Sequence, residues 1–283
     1  MKNPSVGNQA DGRVIGRPQK QGNAGFFLTL LLLTAMFVLL VAFQDQLGLN
    51  VGLLQTLRTN FINDFIVDHR WTWLASGLGK TLIITILAAL LGVVIGLILA
   101  MIRVLAHNGR RIFFLTRFAD IYVTVIRGTP VLVQLLIIYF VIFASVNIEK
   151  TLVAALAFGI NSGAYVAEIV RAGVLAVDQG QMEAGRSLGL TYGITMRKII
   201  LPQAVKNVLP AMFNELITLL KETSVAGYIA VIDLTRAGDL IRSRTFDAVL
   251  PLLAVALIYL LIVMGLTVLM NMLERRLRRS DNR

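Results

Sequence analysis

The chain has 283 residues, 57% hydrophobic and only 15% charged, where an ordinary soluble domain carries roughly 25% charged residues. Too few charges remain to cover a water-exposed globular surface, so the composition points to a lipid bilayer as the surrounding solvent. The net charge of +11 does not indicate nucleic acid, because the basic residues sit at the edges of apolar runs, and the absence of cysteine excludes disulfides, thiolate nucleophiles and Cys-ligated metals.

Residues 1–24 are polar, contain several glycines and two prolines, and show no apolar period; they read as a disordered tail. From Gly25 to Phe43 no charge occurs over 19 residues, which suffices for one helical crossing. The run's length and its lack of an A-x-A-like site favour a retained anchor over a cleaved signal. Residues 45–77 mix amphipathic stretches with Trp71 and Trp73, which suit a membrane interface or ordinary packing. Leu82–Met101 is a second charge-free crossing, and Gly92 and Gly96, four apart, give it a face for close helix contact. Three further runs have the length to cross but carry polar interruptions. Ile121–Ala144 contains Arg127-Gly128-Thr129-Pro130, Thr151–Val170 ends in Glu168 and Arg171, and Val208–Ile232 holds Asn214, Glu215, Lys221 and Glu222. Ala248–Leu273 is the last run, followed by the basic Arg275, Arg276, Arg278 and Arg279. The sequence thus predicts an all-α membrane protein of six spans.

Loop charge predicts the orientation. With both termini in the cytoplasm, the inner segments 1–24, 103–117, 173–207 and 274–283 carry +3, +4, +2 and +3, and the outer segments 45–77, 146–150 and 229–247 carry −1, 0 and 0. Basic residues accumulate on the cytoplasmic side of membrane proteins, so the inverted topology is rejected and the loop 173–207 is placed in the cytoplasm.

Two apparent catalytic motifs fail on context. Ser76-Gly77-Leu78-Gly79-Lys80-Thr81 ends like a phosphate-binding loop, but Leu74 stands where its first glycine belongs, and Lys80 reads as an interfacial anchor. Gly185-Arg186-Ser187-Leu188-Gly189 has the letters of a nucleophile elbow, yet that motif needs a preceding strand and a downstream histidine, and His69 and His107 both lie upstream. Nor can two isolated histidines on opposite sides of a membrane form a metal site. An enzyme is not expected.

The segment 178–210 is more informative. Asp178–Leu201 has the composition of short helices, with Gly189 and Gly193 as breakpoints and Pro202 near the end. Its apolar residues Met182, Leu188, Leu190, Ile194, Ile199 and Ile200 require cover, either in a partner's groove or against the ends of the spans. Farther along, Glu215 and Glu222 are seven apart, so on an α-helix they fall within about 20° of one another. Carboxylates at membrane depth seldom face lipid; this stripe, with Asn214 and Thr218, lines a polar cavity or interface, unless Lys221 and Arg171 pair with the acids in a structural ion network. Gly128-Thr129-Pro130 breaks helical hydrogen bonding and reads as a hinge or a fixed kink.

Glu183-Ala184-Gly185, Gly189, Ile199, Leu201 and Pro202 reproduce the E-A-A, G, I-x-L-P spacing of membrane subunits of binding-protein-dependent ABC importers, with Gly185 in place of the second alanine. Arg127-Gly128-Thr129-Pro130-Val131-Leu132-Val133-Gln134, Ala167-Glu168-Ile169-Val170-Arg171, Asn214-Glu215, Lys221-Glu222-Thr223-Ser224 and Leu234-Thr235-Arg236-Ala237-Gly238 resemble the polar amino acid branch of that family. The resemblance spans roughly 78–273 and implies a type I importer transmembrane domain: a five-helix core at 78–273 with a cytoplasmic coupling loop at 173–207, preceded by an extra N-terminal helix and periplasmic segment at 25–77 and followed by a basic cytoplasmic tail at 274–283. It further implies that Glu183, Ala184, Gly185, Gly189, Ile199, Leu201 and Pro202 dock into a separate cytoplasmic ATPase, the subunit that binds ATP. Glu183 would accept a hydrogen bond from a partner's Arg or Lys, or would cap its own helix. Related importers bind their amino acid along the stripe of Asn214, Glu215, Thr218 and Glu222. The other implied partners are a second, identical or paralogous permease subunit and a periplasmic solute-binding protein, with a bacterial inner membrane as the location. An ion-coupled secondary amino-acid transporter is the alternative.

Overall fold

The computed structural model describes residues 52–107 and 113–279, together with Gly25, Thr29, Leu32, Ala35, Met36 and Leu39. Those six are helical and exposed, and the Thr29 hydroxyl donates to the Gly25 carbonyl at 2.8 Å. The rest of the expected first span, and the tails 1–24 and 280–283, lie outside the described residues.

Among the described residues from Gly52 onward every regular element is helical. Helix α1 (Gly52–Phe61) passes through a π turn (Ile62–Ile66) and a 3-10 turn (Val67–His69) into α2 (Trp71–His107). There follow α3 (Phe113–Arg127), α4 (Val131–Ile137, prolonged by a π turn to Ile142) and α5 (Lys150–Leu175). The remainder comprises α6 (Gln179–Ser187), α7 (Tyr192–Thr195, prolonged by a π turn to Ile200), α8 (Leu201–Glu222), α9 (Leu234–Thr245) and α10 (Val249–Arg279).

Among the described residues α2, α5 and α10 are each long and apolar enough to cross a membrane, and α3 with α4 makes a fourth candidate bent by 107°. Two expected runs therefore change shape. Ile121–Ala144 is not one straight span, because Pro130 brings no N–H to continue α3 and the chain turns sharply at Gly128–Pro130. Val208–Ile232 is helical only to Glu222, continues as a 3-10 segment to Ile229, and begins earlier than expected, at Leu201 inside the predicted loop 173–207. Pro202 accordingly stands in the first turn of α8, directly after the π turn that ends at Ile200.

Helix α5 is buried around most of its surface and α10 scarcely at all. The α2–α5 contact explains why. A Cβ on Gly92 would lie 2.9 Å from that of Ser162, and one on Gly96 2.5 Å from that of Val166. The facing helix has its own pair four apart, Gly159 and Gly163, lying against Leu91 and Ile95. Small residues on both sides let the two backbones close up, the means by which helices associate where lipid removes the hydrophobic driving force. The main core gathers Ile84, Ala88, Leu135, Phe158, Leu219 and Ile229 from α2, α4, α5, α8 and the 3-10 segment. A second cluster joins Phe65, Leu74, Leu234, Ile241 and Val255. Of the two tryptophans, Trp73 packs on that cluster, as the packing alternative expects, and Trp71 is exposed.

Candidate functional site

Two polar regions stand out, one on the short helices and one between α5 and α8. In the first, Asp178 caps α6 by accepting from the Gly180 N–H at 2.7 Å. The helix stops at Gly189, whose φ of +80° lies in the region a Cβ disfavours. Gly193, expected as a second breakpoint, instead lies within α7. The apolar residues divide between the two predicted covers. Met182, Ile199 and Ile200 pack with Val104, Val174, Val177 and Ala204, whereas Leu188 and Ile194 face outward, Leu188 with 80% of its surface exposed.

The family-motif residues divide likewise. Glu183, Ala184, Gly189, Leu201 and Pro202 are exposed, Ile199 is half-buried and Gly185 is buried. The departure from E-A-A has a physical reason, since a Cβ on Gly185 would sit 2.5 Å from Cγ2 of Thr195. Among the described residues Glu183 makes no hydrogen bond or ion pair; capping falls to Asp178 and no acid stands in the first turn of α6, which removes the second role considered for Glu183. Ser187 ends a helix with no strand before it, unlike a nucleophile elbow. Between α6, α7 and the ends of α2, α3 and α5 lies a cavity of about 650 Å³, lined by Arg103, Asp120, Arg171, Asp178 and Glu183 among others. On its wall a charge network ties three helices. Arg103 bonds Asp120 and Glu168 at 2.8 Å each, and Arg171 pairs with Glu168. Arg171 is thus engaged on its own helix, which overturns the ion network drawn between it and Glu215 or Glu222.

The second region is built on the predicted stripe. Glu215 accepts a hydrogen bond from the Ser162 hydroxyl at 2.8 Å across the α5–α8 contact. Glu222 lies near enough to Glu215 for the two charges to interact, and no ion pair joins Lys221 to either among the described residues. Asn214 and Thr218 are exposed on the same side of α8. Arg127, at the end of α3, acts on Glu215 through space and lies 5.3 Å from the centre of the Tyr165 ring.

The position of Arg127 follows from the corner beside it. The Gln134 side-chain amide donates to the carbonyls of Ile126 (2.7 Å) and Thr129 (3.0 Å) and to the Thr129 hydroxyl (2.8 Å). Its oxygen accepts from Asn161 of α5 at 3.0 Å. One buried side chain therefore satisfies the carbonyls that the Gly-Thr-Pro break leaves over and fastens the corner to α5. Asn161, Ser162 and Tyr165 are not singled out by sequence reasoning; the polar pair Asn161-Ser162 in the middle of an apolar run was the available signal.

Residues 92–279 match the family described as binding-protein-dependent transport system inner membrane component. The putative glutamine transport system permease protein GlnP of Rickettsia bellii is 37% identical over 207 residues, covering 72% of this chain and 93% of that protein. The L-cystine transport system permease protein TcyB of Bacillus subtilis is 38% identical over 226 residues, covering 79% and 94%. A crystal structure of an amino acid ABC transporter with histidines superposes with a TM-score of 0.69 at 43% identity, covering 75% of this chain and 98% of that one. With the all-helical fold and the E-A-A-like segment in place, this chain belongs to the family of inner membrane components of binding-protein-dependent transport systems, among the amino-acid ABC transporter permeases.

Proposed function

We propose that the chain is the permease subunit of an ATP-dependent uptake system for a polar amino acid, working by alternating access while a separate ATPase subunit hydrolyses ATP. The observation that carries this reading is the segment Gln179–Ile200: its inner residues are packed on the spans while Leu188 and Ile194 face outward without cover and Glu183 is exposed at the cavity behind α6. An apolar residue exposed beside an unpaired carboxylate suits a protein partner with a matching pocket and cation. In this reading the ATPase grips Glu183, Ala184, Gly189, Leu201 and Pro202 on the cytoplasmic side, and both termini share that side, as loop charge favours. Cargo arrives from a solute-binding protein opposite, and a second permease subunit, identical or paralogous, completes the pathway.

The substrate's ammonium would lie against Glu215 and Glu222, flanked by Asn214 and Thr218. Ser162 orients Glu215. Arg127, with no carboxylate in ion-pair distance among the described residues, offers a counter-charge to the substrate's carboxylate. The relatives named above carry different amino acids by their descriptions, so the class rather than one member is proposed.

The test is reconstitution of the affinity-purified complex in liposomes. An ATPase chain should co-purify, uptake should require ATP, and Glu183→Lys should release the ATPase while leaving the permease inserted. Glu222→Gln should reduce uptake without affecting assembly. Uptake driven by an ion gradient with no ATPase attached would overturn the proposal in favour of a secondary transporter.

A further inference from the structure

Helix α10 leaves most of its apolar surface uncovered, yet it is not smooth where it meets α8. There Leu209, Pro210 and Phe213 of α8 and Met270 and Leu273 of α10 enclose a cleft of about 300 Å³ whose lining is almost wholly apolar. Glu274 and Arg276 complete the lining, where α10 passes from apolar to charged residues, and Arg275 between them in sequence is exposed. The basic run continues in sequence at Arg278 and Arg279.

We propose that this cleft holds an acyl chain of an anionic phospholipid whose phosphate is bound by Arg275 and Arg276. Three observations favour this occupant. The volume is at the low end of small-molecule pockets, which run from about 300 to 1,000 Å³; it suits a segment of hydrocarbon chain better than a polar ligand, and the dry lining offers such a ligand no hydrogen bond. The polarity changes abruptly along one helix, from Met270 in the cleft to Arg276 at its charged end, a rise of about 9 Å at 1.5 Å per residue. A phospholipid makes the same change from tail to phosphate over a comparable length. Finally, this end of the cleft carries excess positive charge where α10 leaves its apolar run, and basic pockets between spanning helices at the membrane surface select anionic headgroups. Leu269 and Met272, next to the cleft in sequence, are exposed, so a lipid seated there remains part of the surrounding bilayer. The inference needs only that α10 spans a membrane with its basic end at the surface.

The test uses the full-length chain, purified with the subunits it carries and with Trp71→Phe and Trp73→Phe to silence the native fluorescence. Met270→Trp places a probe in the cleft, Leu209→Trp places one on its opposite wall should the first variant fold poorly, and Leu253→Trp serves as a bulk-lipid control. Each is reconstituted in vesicles containing brominated phosphatidylglycerol or brominated phosphatidylcholine. The cleft probes should be quenched at a several-fold lower fraction of the anionic lipid than of the zwitterionic one. Each arginine near an anionic surface is worth on the order of fivefold in affinity, so Arg275→Gln with Arg276→Gln should abolish the preference, leaving the control probe alike in both lipids throughout. Equal quenching of the cleft probes by the two lipids would overturn the proposal, as would no quenching by either, which would show the cleft covered by protein such as a second permease copy. The readout involves no transport, so its failure leaves the uptake reading standing, and failure of uptake leaves this one standing.

Discussion

Gly185 shows how one residue can depart from a family pattern for a local reason. Its hydrogen faces Thr195, and an added methyl would fall 2.5 Å from the threonine Cγ2 and 2.9 Å from its Oγ1. Restoring the family's alanine should therefore destabilise this chain: Gly185→Ala is expected to cost about 1–3 kcal/mol, as overpacking commonly does, despite the better helix propensity of alanine. Adding Thr195→Ser removes the nearer methyl and should recover most of the loss. Thermal unfolding of the four members of this cycle checks the prediction, and an additive double variant would refute the contact. The segment's motif was legible in the sequence, but the reason for its exception was not, because Thr195 lies ten residues away on the next helix. The same limit applies at Glu215. Its alignment with Glu222 follows from helical period alone, whereas its bond to Ser162 spans 53 residues of chain and depends on how α5 meets α8.

At the scale of elements, the turn between α1 and α2 and the corner between α3 and α4 illustrate opposite uses of buried polarity. The π turn after α1 buries Asp64 to 1% exposure with neither oxygen hydrogen-bonded. Burial pushes its pKa above the usual carboxylate value, with the nearby Asp247 adding to the effect. The folded chain therefore holds this proton to higher pH than the unfolded chain does, so the contribution of Asp64 to stability is fully present below the ordinary carboxylate range and is lost as pH rises through the raised value. Asp64→Asn should flatten that decline: the thermal midpoint should rise at pH 8 and scarcely change at pH 4, and equal shifts at both would count against a titrating Asp64. The α3–α4 corner, by contrast, pairs its buried polar side chains Gln134 and Asn161. Gln134→Ala would strand the Asn161 amide and two carbonyls at once, and leaving a buried donor or acceptor unpaired costs about 1–3 kcal/mol. Asn161→Ala in the same background should add little, a coupling that denaturation of the double variant measures. The break at Gly128–Pro130 was readable from proline chemistry. Its 107° angle and its Gln134 fastening were not, since both depend on a neighbour from a different helix. The α2–α5 contact was half legible in the same way, through Gly92 and Gly96 but without Gly159 and Gly163 opposite them.

Across the whole molecule, α5 is the element common to both polar regions. Ser162 binds Glu215 near its middle, and six residues on, Glu168 binds Arg103 of α2 and Arg171 at the wall of the cavity behind α6. Six residues of helix cover about 9 Å, so α5 joins the wall of the cavity behind α6 to the carboxylate stripe by a short stretch of packed helix. Coupling through such a route requires that the charge network transmit force without itself touching substrate or ATPase. Glu168→Gln tests that requirement, because it keeps the side-chain shape while removing the charge that holds both arginines. Under the proposed function, ATPase association and substrate affinity should stay near the parent values, while substrate-stimulated ATP hydrolysis should fall toward the unstimulated rate. A structural role alone would lower assembly and thermal stability together with activity. Measuring co-purification, substrate binding and stimulated hydrolysis on the same preparation separates the two, and unchanged stimulation would show that the short helices move the stripe by some path other than α5.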